Sequence, residues 1–336
     1  MADTNKQIVI TELPQGKLAE SNFTLTDGPM PEPGEGEVLT RAIYLSLDAA
    51  NRAWMQGATY KAPVLAGDVM HGGTLSEVMV SNSPTLAPGD IVEGMTGWQQ
   101  FAAVPAKQLA KLQPRGPLTN HLSVLGVTGL TAYFGLLEVG QPKEGETIVV
   151  SAAAGAVGNV VGQIGKIKGC RVVGIAGSDE KCKWLTDELG FDAAINYKTE
   201  SVPKALAQHC PGGIDVYFDN VGGDILGAVL FQMNQNGRIS CCGAVSQYDT
   251  GDPAPGPRGI PGLLVVKRLR MEGFIVMDYF ARLNEALDAL AGWIADGSLK
   301  VKEDVIDGLE NAPTALIGLL GGENIGKRMI RVSDEP

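Results

Sequence analysis

Along the first 120 residues, hydrophobic positions come in short alternating bursts separated by glycine and proline. The segments GEVLTRAIYLSL, GTLSEVMVSN and GDIVEGMTGWQQFAAV are of this kind. Closely spaced strand-like runs with turn residues between them predict an all-β barrel or sandwich. From about residue 122 the rhythm changes. ETIVVSA reads as a strand. Val157, Val160, Val161, Ile164 and Ile167 then recur at spacings of three, one, three and three, which is a helical period. The alternation continues through RVVGIAG, a helix over DEKCKWLTDELG, DAAINY, a helix over VPKALAQHC, IDVYFDNVGG, a helix over ILGAVLFQM, and the strand GRISCCGAV. Strands that alternate with helices predict a parallel, doubly wound sheet.

TGDPAPGPRGIPG, residues 250–262, is a proline- and glycine-rich loop inside this α/β region. RMEGFIV then resumes the sheet, DYFARLNEALDALAGWIADG is a long helix, and KRMIRV is strand-like again. The simplest layout is a β-rich domain of residues 1–122 and 300–336 into which an α/β domain of residues 123–299 is inserted.

Composition narrows the classes. The 336 residues are 44% hydrophobic and 19% charged, as in a soluble globular protein. No run approaches the roughly 18 apolar residues of a membrane span, and MADTNKQIVI carries no apolar signal core, so a cytoplasmic protein is expected. The net charge of −11 argues against nucleic-acid binding, which needs a basic surface. Five cysteines, Cys170, Cys182, Cys210, Cys241 and Cys242, all fall in the second half without C-x-x-C spacing. They read as small buried hydrophobes in a reducing compartment. Adjacent Cys241 and Cys242 are expected on opposite faces of a strand.

The candidate chemistry begins at VSAAAGAVGNVVGQIGKIKGC, residues 150–170. The strand is expected to end near Ala152. Gly155 permits a turn with positive φ, and Gly158 lets the following helix pack closely. The helix N-terminus offers unpaired N–H groups and a partial positive charge, a seat for a pyrophosphate. The pattern A-x-x-G-x-x-G gains weight from its strand–turn–helix context. After the second strand stand Gly177 and Ser178, where an NAD site places a carboxylate. Lys181, on the first helical turn, is placed to reach a 2′-phosphate, or else it is a solvated surface lysine. Asp179 and Glu180 offset the positive end of that helix, with Ser178 as its N-cap. A metal is not expected. The first half has no cysteine, and its only histidines, His71 and His121, have no partner ligands in view.

These residues resemble a known family, the zinc-independent medium-chain dehydrogenases/reductases, and within it the leukotriene/prostaglandin reductases, plant alkenal double-bond reductases and bacterial curcumin reductases. The resemblance runs over nearly the whole chain. It is carried by YLSLDAANRAWM, GVTGLTAYFGL, SAAAGAVGNVVGQIGKIKGC, GSDEKC, INYK, FDNVGG, CCGAVSQYD, GFIV and GENIGK. It implies a Rossmann sheet inserted in a GroES-like β-rich catalytic domain, with NADP(H) lying in the cleft between domains. The turn Gly155, Ala156, Val157, Gly158 would hold the pyrophosphate. Gly177, Ser178, Lys181 and Tyr197 would surround the 2′-phosphate, and Asn220 would lie over the cofactor. Cys242, Gly243, Ala244, Val245, Ser246 and the backbone of Phe274, Ile275 and Val276 would line the nicotinamide. Thr128 would contact the carboxamide, or else serve as a helix N-cap or core contact. Asn324 would close the pyrophosphate side. Homodimers paired along the edge strand near RMEGFIV are implied as well.

The reaction implied is NADPH-dependent reduction of the carbon–carbon double bond of an enone or enal, without metal. A donor near the carbonyl oxygen must then meet the developing enolate. A tyrosine hydroxyl or the nicotinamide ribose hydroxyl suits this role; Tyr248 in SQY is the first candidate and Tyr60 in GATYKAPV the second, the other reading of Tyr248 being a residue that only packs on the nicotinamide. An NADPH:quinone oxidoreductase and a non-catalytic NADPH-binding protein are the alternatives. One departure concerns substrate. Family members often read D-P-Y-M-R or D-P-A-M-R where this chain has Asp48-Ala49-Ala50-Asn51-Arg52. If the aromatic position lines the pocket, the pocket here is wider.

Overall fold

The computed structural model describes residues 4–57, 59–252 and 256–336. β1 (Thr4–Ile10) pairs antiparallel with β2 (Phe23–Pro29), from Thr4 opposite Pro29 to Ile10 opposite Phe23. β3 (Glu37–Ser46) is the longest strand of the front half, and nearly all of it is buried. A short helix, α1 (Ala49–Trp54), follows it. β4 (Thr74–Ser81), β5 (Ile91–Gly94), β6 (Phe101–Pro105) and β7 (Ala110–Lys111) complete the front half.

The middle of the chain opens with α2 (Val127–Phe134), which runs on into a π-helical stretch, Gly135–Gly140. Then come β8 (Thr147–Ser151), α3 (Gly158–Ile167), β9 (Arg171–Ala176), α4 (Asp179–Asp187), β10 (Ala193–Asn196), α5 (Val202–His209), β11 (Ile214–Asp219), α6 (Gly223–Gln232) and β12 (Met233–Cys241). α7 (Ile260–Lys267), β13 (Arg270–Gly273) and α8 (Leu283–Ala295) close this region. Its six strands are all parallel, in the order β10-β9-β8-β11-β12-β13. That is the doubly wound order with the reversal between β8 and β11.

Both faces of this sheet are covered, so its strands read as unbroken apolar runs rather than alternating ones. On β8, Ile148 and Val150 join one core with Val160, Val161 and Ile164 of α3. Val149 joins the opposite core with Ile195, Tyr217 and Leu230.

β14 (Glu303–Asp307), α9 (Ala312–Leu320) and β15 (Lys327–Arg331) end the chain. They return to the β-rich sheet, whose order is β14-β15-β3-β4-β5-β7, with β6 also on β3. The chain thus divides into a β-rich unit (Met1–Leu122, Tyr248–Gly251, Glu303–Pro336) and an α/β unit (Ser123–Gln247, Asp252–Lys302).

The structure differs from the sequence-based layout in several places. Residues 300–302 belong to the α/β unit, because the Lys300 backbone exchanges hydrogen bonds with the Gln163 side chain of α3 at 2.8 and 3.1 Å. Tyr248–Gly251 belong to the β-rich unit, through Asp249 and its partner Arg52. Residues 260–262 of the expected loop begin α7, with Pro261 in a first turn that has no use for its missing N–H. Residues 253–255 of that loop lie outside the described residues. The last long helix begins only at Leu283, after 3-10 turns over Val276–Arg282. Cys241 ends β12 and Cys242 follows it, and the two side chains pack against the cores on opposite faces of the sheet, as expected.

The buried face of α3 yields a test. A Cβ at Gly162 would overlap the ring of Phe191, which is itself buried in the core. Gly162→Ala is therefore expected to destabilise by roughly 1–3 kcal/mol through overpacking, against the gain of about 1 kcal/mol that alanine brings to a helix interior. A urea midpoint shifted down at constant slope is the measurement; an unchanged or higher midpoint would contradict this packing.

Candidate functional site

The residues singled out in the α/β unit gather at the C-terminal ends of its strands, where open parallel sheets bind ligands. The turn after β8 is built around a non-glycine residue. Ala152 carries the left-handed φ of 48°, not Gly155, whose N–H instead bonds back to the Ala152 carbonyl at 3.0 Å. Gly158 is needed for space: a Cβ there would run into the Ala152 carbonyl and lie 2.8 Å from Ala153 Cα. Asn159 is buried, and its amide donates to the carbonyls of Gly155 (2.7 Å) and Ala156 (3.3 Å). The turn's carbonyls are thereby drawn inward. In the first turn of α3 the N–H groups of Asn159 and Val161 are paired with the Gly155 and Val157 carbonyls at 3.2 and 3.0 Å, so an anion would be met by the remaining N–H groups of this turn and by the positive end of the helix. This geometry fits a pyrophosphate.

The next β–α turn holds the residues expected around a 2′-phosphate. Ser178 caps α4, its Oγ accepting from the Lys181 N–H at 3.3 Å. Lys181 is 9% exposed, so it is not a solvated surface lysine. Asp179 is bound by the Asn196 amide at 2.6 Å and so is occupied within the turn. Tyr197 follows β10, 45% exposed. Its ring lies against Gly177, where a Cβ would meet Tyr197 Cε1 at 3.1 Å.

Between β8 and β11 the organising group is the Asp219 carboxylate, 3% exposed. Its Oδ1 accepts from Tyr217 Oη (2.8 Å), the N–H groups of Val221 (3.0 Å) and Gly222 (2.8 Å), and Ser151 Oγ (3.3 Å). Burial raises its pKa, against the pull of these donors. Asn220 is held twice by Ser151, N–H to Oγ at 2.9 Å and Nδ2 to the carbonyl at 2.8 Å. Cys242 and Gly243 donate their N–H groups to the Asp219 carbonyl at 2.8 and 3.1 Å. Val245 donates to Asn220 and Ser246 to Val221, each at 3.2 Å. The structure thus brings Asn220 and the segment from Cys242 to Ser246 together.

Other candidates are placed as follows. Thr128 is buried two residues inside α2, behind the cap residue Gly126, and its Oγ1 donates to the Ser123 carbonyl at 2.8 Å. It does not cap α2, a place taken by Gly126. The Phe274 ring packs edge-on to Phe218 at 6.2 Å, Ile275 precedes a 3-10 turn, and Val276 is buried. In the β-rich unit, the Asn324 amide turns back to the Gly326 carbonyl at 2.7 Å.

The two tyrosines proposed for chemistry fall in the same β-rich unit. Tyr60 Oη accepts from the Trp54 indole N–H at 3.3 Å. Its pKa is raised, chiefly by burial and further by Asp48 and by Tyr248, so the phenol stays protonated and can donate. Trp54 also carries Lys61 over its ring at 4.0 Å. Around α1 stand residues that the sequence reading did not single out as a site. Asp48 receives Ser46 Oγ and buried Lys327 Nζ, each at 2.5 Å. Arg52, with its side chain 2% exposed, pairs with Asp249 at 3.1 Å.

Neither front histidine is arranged as a ligand. His121 Nε2 accepts the Arg115 N–H at 3.1 Å, and His71 Nδ1 faces Lys61 Nζ at 3.1 Å. Burial lowers the pKa of both rings, helped by Arg115 and Lys61 respectively, so both stay neutral. Among the described residues, no three His, Cys, Asp or Glu side chains are grouped to hold a metal ion.

Two family models match the chain. One describes the N-terminal domain of oxidoreductases, over residues 6–112, and the other a zinc-binding dehydrogenase, over residues 156–292. The chain is 46% identical to an NADPH-dependent curcumin reductase of Escherichia coli over 98% of both chains. It is 41% identical to an NADP(+)-dependent 2-alkenal reductase of Nicotiana tabacum, covering 99% of this chain and 98% of that one. The crystal structure of CurA from Vibrio vulnificus in complex with NADPH superposes with a TM-score of 0.94 at 43% identity, over 98% of this chain and all of the other. The chain belongs to the medium-chain dehydrogenase/reductase family. Within it, it groups with the NADP-dependent double-bond reductases.

The thiols give a prediction for this site. Burial pushes Cys170, Cys182, Cys210 and Cys241 up to about 11, and Cys242 up to about 12. At pH 8 the thiolate fraction is then on the order of one in a thousand or less. Native protein is expected to resist iodoacetamide at pH 8, while urea-unfolded protein takes up five equivalents. Native labelling at the rate of a free cysteine would contradict this picture.

Proposed function

We propose that this chain reduces the carbon–carbon double bond of α,β-unsaturated ketones and aldehydes with NADPH. The observation that carries the reading is buried Lys181 on the first turn of α4, after Gly177 and Ser178, where an NAD site would place a carboxylate. The reductases named above, alike end to end, support it. The α/β unit is the cofactor-binding part and the β-rich unit supplies the substrate side.

NADPH, when bound, supplies the hydride that goes to the β-carbon. The turn from Gly155 to Gly158 receives the pyrophosphate on backbone N–H groups. Lys181, Tyr197 and Ser178 bind the 2′-phosphate. Asn220, Thr128, the segment from Cys242 to Ser246 and the backbone of Phe274, Ile275 and Val276 hold the nicotinamide, and Asn324 closes the pyrophosphate side. Tyr248 donates a hydrogen bond to the substrate carbonyl oxygen as negative charge develops there, with Tyr60 as a second phenol. Preorganised donors of this kind are a large catalytic term. The reading needs no metal: the hydride comes from the cofactor, and one ring nitrogen of each of His71 and His121 is engaged by a protein group.

We further propose a cytoplasmic homodimer. β13 is the open edge of the parallel sheet, its residues mostly exposed, and Phe231, Val265 and Val266 of the same unit are exposed as well. Such an edge needs cover. Light scattering on the purified protein is expected to give twice the chain mass; the mass of a single chain at micromolar concentration would refute the pairing.

The functional test offers a simple enone, an enal and a quinone in parallel with NADPH or NADH, with the product identified by mass. Saturated ketone or aldehyde, with NADPH preferred, is expected. Turnover of the quinone alone, or tight NADPH binding without turnover, would overturn the reading. Lys181→Ala should cut the preference for NADPH over NADH by at least about tenfold, since a charge-assisted contact is lost. Tyr248→Phe should lower kcat by roughly a hundredfold, the scale of a lost oxyanion donor.

A further inference from the structure

The short helix α1 carries two anchors. Trp54 donates to Tyr60 Oη at 3.3 Å. Two residues earlier, Arg52 points its guanidinium into the interior, where Nε donates to Asp249 Oδ1 at 3.1 Å and Nη2 to the Gly16 carbonyl at 2.7 Å. Asp249 Oδ1 also accepts the Leu18 N–H at 2.6 Å. Two residues on, a Cβ at Gly251 would lie 2.7 Å from the Gln15 carbonyl, so the chain there runs directly against the 15–16 backbone. A segment of four residues is therefore fixed by its second and fourth members, and Tyr248 is its first.

The pair is poorly explained as a source of stability. Arg52 Nη1 is buried and finds no acceptor among the described residues. Buried ion pairs with unmet donors gain little over apolar residues of the same size, and their best-attested use is to specify one arrangement. Here the arrangement specified is the placement of the segment that begins at Tyr248 on the same short helix that holds Tyr60 through Trp54. Electrostatics agree, since Tyr248 is a minor contributor to the raised pKa of Tyr60. Both are referred to the same rigid turn of helix.

We propose that Arg52 and Asp249 are positioning residues for the reaction: the ion pair between buried Arg52 and half-buried Asp249 fixes Tyr248 relative to Tyr60 so that the phenol meets the substrate oxygen. This rests on the reading of Tyr248 given above and goes beyond it by assigning a role to two residues that touch neither substrate nor cofactor.

Asp249→Asn is the test variant, because it keeps the shape and removes the charge; circular dichroism melting checks that it folds. Two measurements on the full-length protein separate the possible failures. The first needs no turnover. With 3-fluorotyrosine placed at position 248, the fluorine resonance is expected to broaden or move in Asp249→Asn; an unchanged resonance would overturn the proposal. The second is a double-mutant cycle on kcat at saturating NADPH. Asp249→Asn alone is expected to lower kcat about tenfold, as small misplacements of a reacting group do. In the Tyr248→Phe background the same change should cost less than about twofold, because Asp249 acts through the phenol. A full tenfold loss in both backgrounds, or no loss in either, would overturn it. Should wild-type protein reduce no enone or enal while the resonance still responds, the reductase reading fails, and with it the catalytic half of this proposal, while the positioning of Tyr248 stands.

Discussion

The α/β unit depends on one buried carboxylate oxygen. Where a parallel strand ends, the chain must leave the sheet with its backbone donors satisfied, and away from water this is a strict requirement. Asp219 Oδ1 meets it by accepting four hydrogens, two from the backbone of the following turn and one each from Tyr217 and Ser151. Its carbonyl accepts two more from Cys242 and Gly243. Three neighbouring strand ends, β8, β11 and β12, are thereby tied to one residue. Of the residues proposed to lie against the nicotinamide, Asn220 and the segment from Cys242 to Ser246 are positioned by them. Burial opposes ionisation of this carboxyl and the donors favour it. A network in that balance tolerates little rearrangement.

The β-rich unit solves a different problem with the same physics. Its sheet is antiparallel apart from β14 and β15, and it is closed by strands from both ends of the chain. The two tyrosines proposed for the chemistry sit outside the strands, so they need support from elsewhere. α1 supplies it through Asp48 with Lys327, Arg52 with Asp249, and Trp54 with Tyr60. Each tie joins residues that a loop alone would leave mobile.

Local pattern carried the alternation of strands and helices, because periodicity is written in neighbouring residues. The pyrophosphate turn was legible for the same reason. The backbone strain within it was not. Gly155 is the permissive residue, yet Ala152 takes the positive φ, because Gly158 must clear the Ala152 carbonyl. That is a contact across six residues, and not a propensity. The supporting network was not legible either. Ser151 and Asp219 are 68 residues apart, Arg52 and Asp249 197, and Asp48 and Lys327 279. Charged residues at such separations read as solvated until the fold brings them together. The short Tyr248–Gly251 segment joins the β-rich unit from the middle of an α/β run, and no composition signal marks it.

The departure at Asp48-Ala49-Ala50-Asn51-Arg52 gains a physical meaning from these ties. Compared with the D-P-Y-M-R pattern, the two ends are kept and the three central positions are changed. The ends are the residues with buried charge partners, where replacing one member would strand the other. Of the central positions, Ala49 and Ala50 carry no polar group at all. Asn51 builds its own local support, accepting from the Asp48 N–H at 2.8 Å and donating to the His71 carbonyl at 2.9 Å. The middle of α1 is not idle either: Asn51 is 1% exposed and Ala50 packs against the core of the β-rich unit. The charged ends and the buried centre thus hold the same frame, and a larger side chain at Ala50 would have to displace core neighbours.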